Sequence, residues 1–363
     1  MRILYLVEWD AYHNSGVLRK VLTQFSIWRS LGADAHMLIV SPRPKVAAEP
    51  LAKGVQLTVV DHQGGPLTKL HKAFALRDAL EIVSSIDPTV IYFRQSSWTP
   101  GLISVLSCAR ITVAEINSNE AAELAGGGWI TSVYGKLTRK RIIEHVSGFV
   151  CVSDELAELS KAYGRPAIAI GNGFDLSSVS PRIPPRNPRP RLVFVGTPGQ
   201  SWHGVDKVLE LATELPEMDF DVVGDVFLHS LSNVTMHGSL SWAELDMLYQ
   251  KVDVGIGTLA LHRKSMNQAT PLKTREYLAY GIPVLGAYRD PDLLDCPFYL
   301  QLPNTPECAT CSIALVRNFV SLWKGQTIDR EMVRERIGAD VKERARLKFL
   351  AQLSDVLSPG HED

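Results

Sequence analysis

Short apolar runs alternate with amphipathic stretches through the first half of the chain. Runs of this length, uniformly apolar rather than alternating, read as strands covered on both faces. They predict strands at Ile3–Val7, Ala35–Val40, Gln56–Val60, Thr89–Phe93, Ile111–Ala114, Gly148–Val152 and Ala167–Ile170. Apolar residues recurring at helical spacing predict helices at Gly16–Leu31, Leu70–Ser85, Gly101–Ser107, Ile130–His145 and Asp154–Tyr163. This alternation of the two kinds argues for an α/β fold with an open, mostly parallel sheet.

The pattern breaks at Ser180–Pro190, where five of eleven residues are proline. Such a stretch cannot form regular structure and is expected as a linker. A second α/β run follows at once. It predicts strands Arg191–Val195, Phe220–Val223, Val234–His237, Val252–Ile256, Val284–Ala287 and Phe298–Leu300, and helices Val205–Leu215, Trp242–Tyr249 and Leu272–Tyr280. The tail from Thr310 is helical, with Asp329–Leu357 as one long final helix. The expected division is therefore 1–179, a linker at 180–190, a second domain at 191–335, and a terminal helix at 336–363 that packs back on the first domain or stays solvated. Two such units would enclose a cleft at the carboxyl ends of their strands, where open α/β sheets bind ligands.

Composition agrees with two globular domains. The chain has 363 residues, 45% hydrophobic, with 38 basic against 39 acidic side chains. This near-neutral balance gives no support to a nucleic-acid partner. The five cysteines are odd in number and widely spaced, so no disulfide framework is expected. Cys308 and Cys311 form a lone CxxC without the further ligands of a zinc site, and Cys108 and Cys151 read as small core residues. The amino terminus runs straight into a strand, and no apolar run reaches the length of a membrane span. The expected location is the cytoplasm.

The segment Pro271–Gly286 couples a helix start to a buried strand through one glycine turn. Pro271 suits the first helical turn, and Gly281 with Pro283 ends the helix. Lys273 and Glu276 lie three apart on one face. A lysine and a carboxylate near a helix start suit a phosphate and hydroxyl site; they equally suit a surface ion pair. The loop Glu8–Val17 is long and polar, and Asn14, Ser15 and Gly16 could seat an anion or form an ordinary helix cap. Asp10 and His13 in that loop could touch a polar ligand or serve as scaffolding. Glu115-Ile-Asn-Ser-Asn-Glu120 and Arg94-Gln-Ser-Ser-Trp98 follow neighbouring strands. Arg94 could pair with a substrate anion or with Glu115, and Trp98 could be a sugar platform or core. The loop from Gly196 to Gly204 precedes a helix, with His203 and Lys207 as nearby cations. No Gly-x-Ser-x-Gly elbow, His-Glu-x-x-His helix or Walker A loop is present, which argues against those hydrolase and ATPase classes.

Taken in order, Asn14-Ser-Gly-Val17, Cys151-Val-Ser-Asp-Glu155, Asn172-Gly-Phe-Asp175, Phe194-Val-Gly196, Trp202-His-Gly204, Met236-His-Gly-Ser-Leu240 and Pro271–Gly286 resemble the retaining glycosyltransferases of family four. The resemblance spans nearly the whole chain. It implies the GT-B architecture of two Rossmann-like domains facing a central cleft. It also implies transfer of a sugar from a nucleoside-diphosphate sugar, by family habit a UDP-sugar, to a hydroxyl of a glycan, glycolipid or small metabolite. No metal or other cofactor is implied.

By the same resemblance, Glu276 is the second glutamate of an E-x7-E pattern and binds the ribose hydroxyls. Gln268 stands where the first glutamate is expected, which removes a negative charge from the sugar site. Thr270, Leu272 and Lys273 offer donors to the diphosphate, with His203, Lys207, Lys273 and Arg263 as its countercharges. Thr197 and His203 stand where the family often has arginine and lysine. Gly196 and Gly204 allow close approach to the phosphates, Gly238 and Leu240 border the base, and Gly16 lies beneath phosphate and sugar. Asp10, His13 and Glu115 are the candidates for a protein base, beside the leaving phosphate itself. Two other readings are carried: a nucleotide-sugar-binding or assembly protein without turnover, motivated by Gln268, and a nucleotide-sugar 2-epimerase. A lipid-linked acceptor would add a peripheral membrane contact through Ile130–His145, where Lys136, Arg139, Lys140 and Arg141 stand beside Trp129 and Val133. The same pattern suits an ordinary exposed helix. The sequence leaves the oligomeric state open.

Overall fold

The computed structural model describes residues 1–44, 48–65, 67–119, 129–224 and 231–357, with side chains omitted at 129–134, 136 and 137. Glu120 and the side chains of Trp129, Val133 and Lys136 thus lie outside the described residues. The chain forms two compact units: residues 1–170 with 342–363, and residues 171–341.

Unit 1 is built on a parallel sheet. Its strands are β1 (Arg2–Glu8), β2 (Asp34–Pro42), β3 (Leu57–His62), β4 (Val90–Arg94), β5 (Ile111–Ile116), β6 (Gly148–Cys151) and β7 (Ala167–Ala169). Their order is β3-β2-β1-β4-β5-β6-β7. The chain thus winds outward from β1 one way and from β4 the other, which leaves a switch point between those two strands. The interior positions of β1 and all of β5 are buried, so these strands show no in-out alternation. The helices are α1 (Gly16–Ser30), α2 (Thr68–Ile86), α3 (Leu102–Leu106), α4 (Trp129–Glu144) and α5 (Asp154–Lys161). Helix α1 starts at Ser15, whose hydroxyl accepts from the Leu18 N–H, and buries Leu18, Val21, Phe25 and Trp28 at helical spacing.

Unit 2 repeats the scheme with β8 (Arg191–Val195), β9 (Asp219–Val223), β10 (Val234–Gly238), β11 (Val254–Ile256), β12 (Val284–Gly286) and β13 (Tyr299–Gln301), all parallel, in the order β10-β9-β8-β11-β12-β13. Its switch point lies between β8 and β11. Helices α6 (Val205–Glu214), α7 (Trp242–Tyr249), α8 (Leu272–Ala279), α9 (Ile313–Trp323) and α10 (Arg330–Ile337) surround it. Helix α8 ends at Gly281, whose positive φ of 76° and contact with Thr327 leave no room for a Cβ.

The proline-rich segment differs from the expected linker. It lies within unit 2, where the buried Arg182 donates to the carbonyls of Gln326 (2.6 Å) and Asp253 (3.3 Å). Proline stiffness here lines the edge of a core instead of spanning two. The final helix is also not continuous. It breaks at Gly338, whose neighbours Ile337 and Ala339 bond to Phe174 through the backbone, and resumes as α11 (Ala339–Leu357). Phe349, Leu350 and Leu353 of α11 join the core of unit 1. Cys108 is half-buried, not core; Cys151 and Cys308 are buried and Cys311 exposed.

Candidate functional site and the buried charges

The start of α8 stands at the switch point of the second sheet. Pro271 is its N-cap, and no side chain caps the helix. Thr270 is buried just before it. Asn172 holds this loop, its amide donating to the Thr270 carbonyl (2.7 Å) and hydroxyl (3.3 Å). Lys273 sits in the first turn, with Nζ 4.2 Å from the centre of the Phe194 ring at the end of β8. Tyr277, one turn on, accepts the Val195 N–H at 2.8 Å. A Cβ on Gly255 would lie 2.5 Å from that tyrosine ring, so glycine there lets α8 sit down on β11. Leu272 is half-buried. An uncapped helix start beside a lysine suits an anion.

Neighbouring residues of α8 divide sharply in role. Arg275 is fully buried. It bonds Asp290 through both terminal nitrogens (2.6 and 2.9 Å), Asp292 (2.7 Å) and the Asn172 carbonyl (2.9 Å). Burial works against its charge, but Asp290 and Asp292 outweigh it and keep the guanidinium protonated. Glu276 is only half-buried, and its Oε1 accepts from the Tyr249 hydroxyl at 2.7 Å. Gln268 is buried and pairs through its backbone with Arg289.

The remaining expected countercharges differ from one another. His203 is buried, and its Nδ1 accepts from the Thr197 N–H at 3.1 Å, which leaves the ring proton on Nε2. Burial, with Lys273 and Lys264 nearby, pushes its pKa down to about 2. His203 is therefore a neutral donor at ordinary pH, which corrects the expectation of a cation. Lys207 is buried and donates to Glu210 at 2.6 Å. Arg263 makes a two-point pair with Asp206 (2.9 and 2.6 Å) and reaches the Ser201 carbonyl (2.6 Å). Both cations thus already carry a carboxylate partner, which weakens them as diphosphate countercharges. Gly196 ends against Phe194 and His203, and a Cβ would lie 2.8 Å from the Phe194 ring. Gly204 caps α6, Gly238 closes β10, and Leu240 is half-buried against the core of unit 2.

In unit 1 the Glu8–Val17 loop carries Asp10, His13 and Gly16. Asp10 accepts from the backbone N–H groups of Tyr12 (2.8 Å) and His13 (3.2 Å), a turn-forming role. His13 and Gly16 are exposed. Arg94 lies 5.6 Å over the Trp9 ring, and Arg141 lies 5.4 Å over the half-buried Trp98. Glu115 is fully buried, ion-paired to Lys20, and accepts from the Tyr5 hydroxyl at 2.9 Å. Burial alone would raise it, but Lys20, Arg94 and Arg346 outweigh that and hold it at about 2. A carboxylate so weakly basic and without exposure does not take a proton from a substrate, which corrects the expectation of Glu115 as a base. Its network extends to α11. Arg346 donates to the Tyr92 hydroxyl (3.0 Å) and pairs with Glu343, which accepts from Trp28 Nε1 (2.7 Å).

Sequence reasoning missed Tyr249 and Asp290. Nothing in local spacing signals them, because each meets α8 from another element. Among the described residues no group of three or more His, Cys, Asp or Glu side chains could hold a metal ion, and no helix is long and apolar enough to cross a membrane.

No known family and no curated protein matches the chain in sequence. Solved structures match it in fold. A glycosyltransferase from Rickettsia africae ESF-5 superposes with a TM-score of 0.62 at 12% identity, covering 97% of this chain and 99% of its own. Anabaena Alr3699/HepE, solved with UDP and glucose, gives 0.61 at 12% identity, covering 97% and 100%. A UDP-GlcNAc 2-epimerase from Neisseria meningitidis, bound to UDP-GlcNAc, gives 0.54 at 10% identity, again covering 97% and 100%. At such identities the likeness speaks for architecture: with its two parallel-sheet α/β units, the chain has the GT-B fold.

Proposed function

We propose that the chain is a retaining glycosyltransferase of the family-four kind, moving a sugar from a nucleoside-diphosphate sugar, with UDP as the first candidate, to a hydroxyl acceptor. Unit 2 takes the donor and unit 1 the acceptor. The observation that carries this reading is the α8 start. Lys273 and an uncapped helix terminus stand at the sheet switch point, with the half-buried carboxylate of Glu276 one turn further on. The helix terminus and Lys273 stabilise the diphosphate as the glycosidic bond breaks. The neutral His203 donates from Nε2, and Gly196 and Gly204 allow close approach. Glu276 accepts from the ribose hydroxyls. Gln268 offers hydrogen bonds to the sugar but no charge. The leaving phosphate deprotonates the acceptor, with His13 as the candidate protein group to assist.

A thermal-shift screen with UDP, GDP, ADP and TDP, followed by their sugar derivatives, tests the reading. One diphosphate should stabilise the protein strongly, Glu276→Ala should abolish most of that gain, and the matching sugar should be hydrolysed slowly or transferred. Absence of stabilisation by every nucleotide would overturn the donor reading. Tight binding without turnover across acceptors would favour a binding protein. Epimerised product without acceptor would favour the 2-epimerase reading, to which the GT-B epimerases lend weight. The sugar transferred follows from whichever donor turns over.

A further inference from the structure

We propose that Tyr249 is a positioning residue for the nucleotide ribose: it orients the Glu276 carboxylate so that its acceptor positions meet two vicinal hydroxyls. This rests on the donor reading above. Tyr249 closes α7 and has no exposed surface, so it cannot itself touch a ligand. Its ring is held edge-on by two tyrosines of the α8 segment, Tyr277 at 5.6 Å and 89° and Tyr280 at 5.0 Å and 61°. Tyr280 in turn donates to Asp246 of α7 at 2.7 Å, which fixes the spacing of the two helices. The Tyr249 hydroxyl therefore has little freedom, and its proton goes to Glu276 Oε1 at 2.7 Å.

The chemistry explains why a tyrosine serves here. An ionised carboxylate offers about four lone-pair positions, and the Tyr249 hydroxyl uses one of them. A half-buried glutamate side chain without a fixed donor samples several rotamers. A donor fixed in the protein selects one and so lowers the entropic cost of binding. Burial and the nearby carboxylate raise the Tyr249 pKa well above its ordinary value, so the phenol stays a donor throughout the working pH range.

The experiment is calorimetric titration of the full chain with UDP and with 2′,3′-dideoxy-UDP. Wild type should bind UDP more tightly than the dideoxy analogue. Tyr249→Phe keeps both ring contacts. It should lose roughly tenfold in UDP affinity, the scale of one charge-assisted hydrogen bond, with the analogue unchanged. p-Aminophenylalanine in place of Tyr249 returns a donor to the same position and should restore the discrimination, which also covers the case that Tyr249→Phe fails to fold. Tyr280→Phe is the packing control: it should lower the melting temperature with the ratio intact. Equal loss for both nucleotides, an unchanged ratio, or no restoration by the amino group overturns the positioning role. A wild type that binds UDP and its analogue equally refutes the ribose role of Glu276. One that binds neither of them, nor GDP, ADP or TDP, refutes the donor reading itself, and each of these also removes the basis of this inference.

Discussion

Glu115 and Glu276 are both glutamates that sequence pattern marks for chemistry, and their surroundings give them opposite fates. Glu115 ends a strand of unit 1, fully buried, paired with Lys20 and held at about 2. Glu276 lies on a helix of unit 2, half-buried, and accepts from the buried Tyr249 phenol. The first is enclosed by partners that satisfy it, so it ties elements together. The second keeps surface through which a ligand can reach it. Arg275 and Glu276 repeat the contrast within a single turn of α8, since Arg275 is locked by Asp290 and Asp292. A charged residue near a strand end is thus informative only once its partners are known.

The contrast can be broken most forcefully at Glu115. Glu115→Gln leaves the Lys20 charge buried without its partner, and should cost about 3–5 kcal/mol in urea or thermal unfolding. The double variant with Lys20→Met should cost less than the sum of the single changes. If Glu115→Gln folds as stably as wild type and loses only turnover, the structural assignment is wrong. Glu276→Ala should behave the other way, with roughly 2 kcal/mol lost from nucleotide binding and a loss of unliganded stability, from the unpaired Tyr249 hydroxyl, smaller than that of Glu115→Gln. A large drop in melting temperature would place Glu276 with Glu115.

Acid sharpens the same comparison. A carboxylate held at about 2 instead of its ordinary 4.5 contributes stability above about pH 4.5, and that contribution is lost as pH falls toward 2. Acid unfolding of wild type should therefore steepen across this interval, and Glu115→Gln should flatten it. The smallest effect is expected at His203. Because its pKa lies near 2, it gains no proton between pH 8 and 5. UDP affinity of wild type and of His203→Gln should then follow the same pH profile over that range. An affinity gain near pH 6.5 in wild type alone would show that the ring binds as a cation.

The sequence carried the alternation that makes two parallel sheets, since strands covered on both faces must be continuously apolar. It also carried the start and stop of α8 in Pro271 and Gly281, because those residues act through their own backbone. It placed the proline-rich stretch between two units, whereas Arg182 ties that stretch into the second. It extended the last helix through Gly338, where pairing with Phe174 breaks it. Both departures arise from partners remote in the chain.

The site divides by the same rule. Residue types and spacing put Lys273 and Glu276 on one face of α8, because proximity within one helix turn is fixed by helix geometry, and left a ligand site and a surface ion pair equally open. Charge state and orientation were not. Lys20 meets Glu115 across 95 positions, and Tyr249 meets Glu276 across 27. Desolvation and hydrogen-bond partners decide whether a side chain is ionised, neutral or open to a ligand, and folding alone brings those partners together.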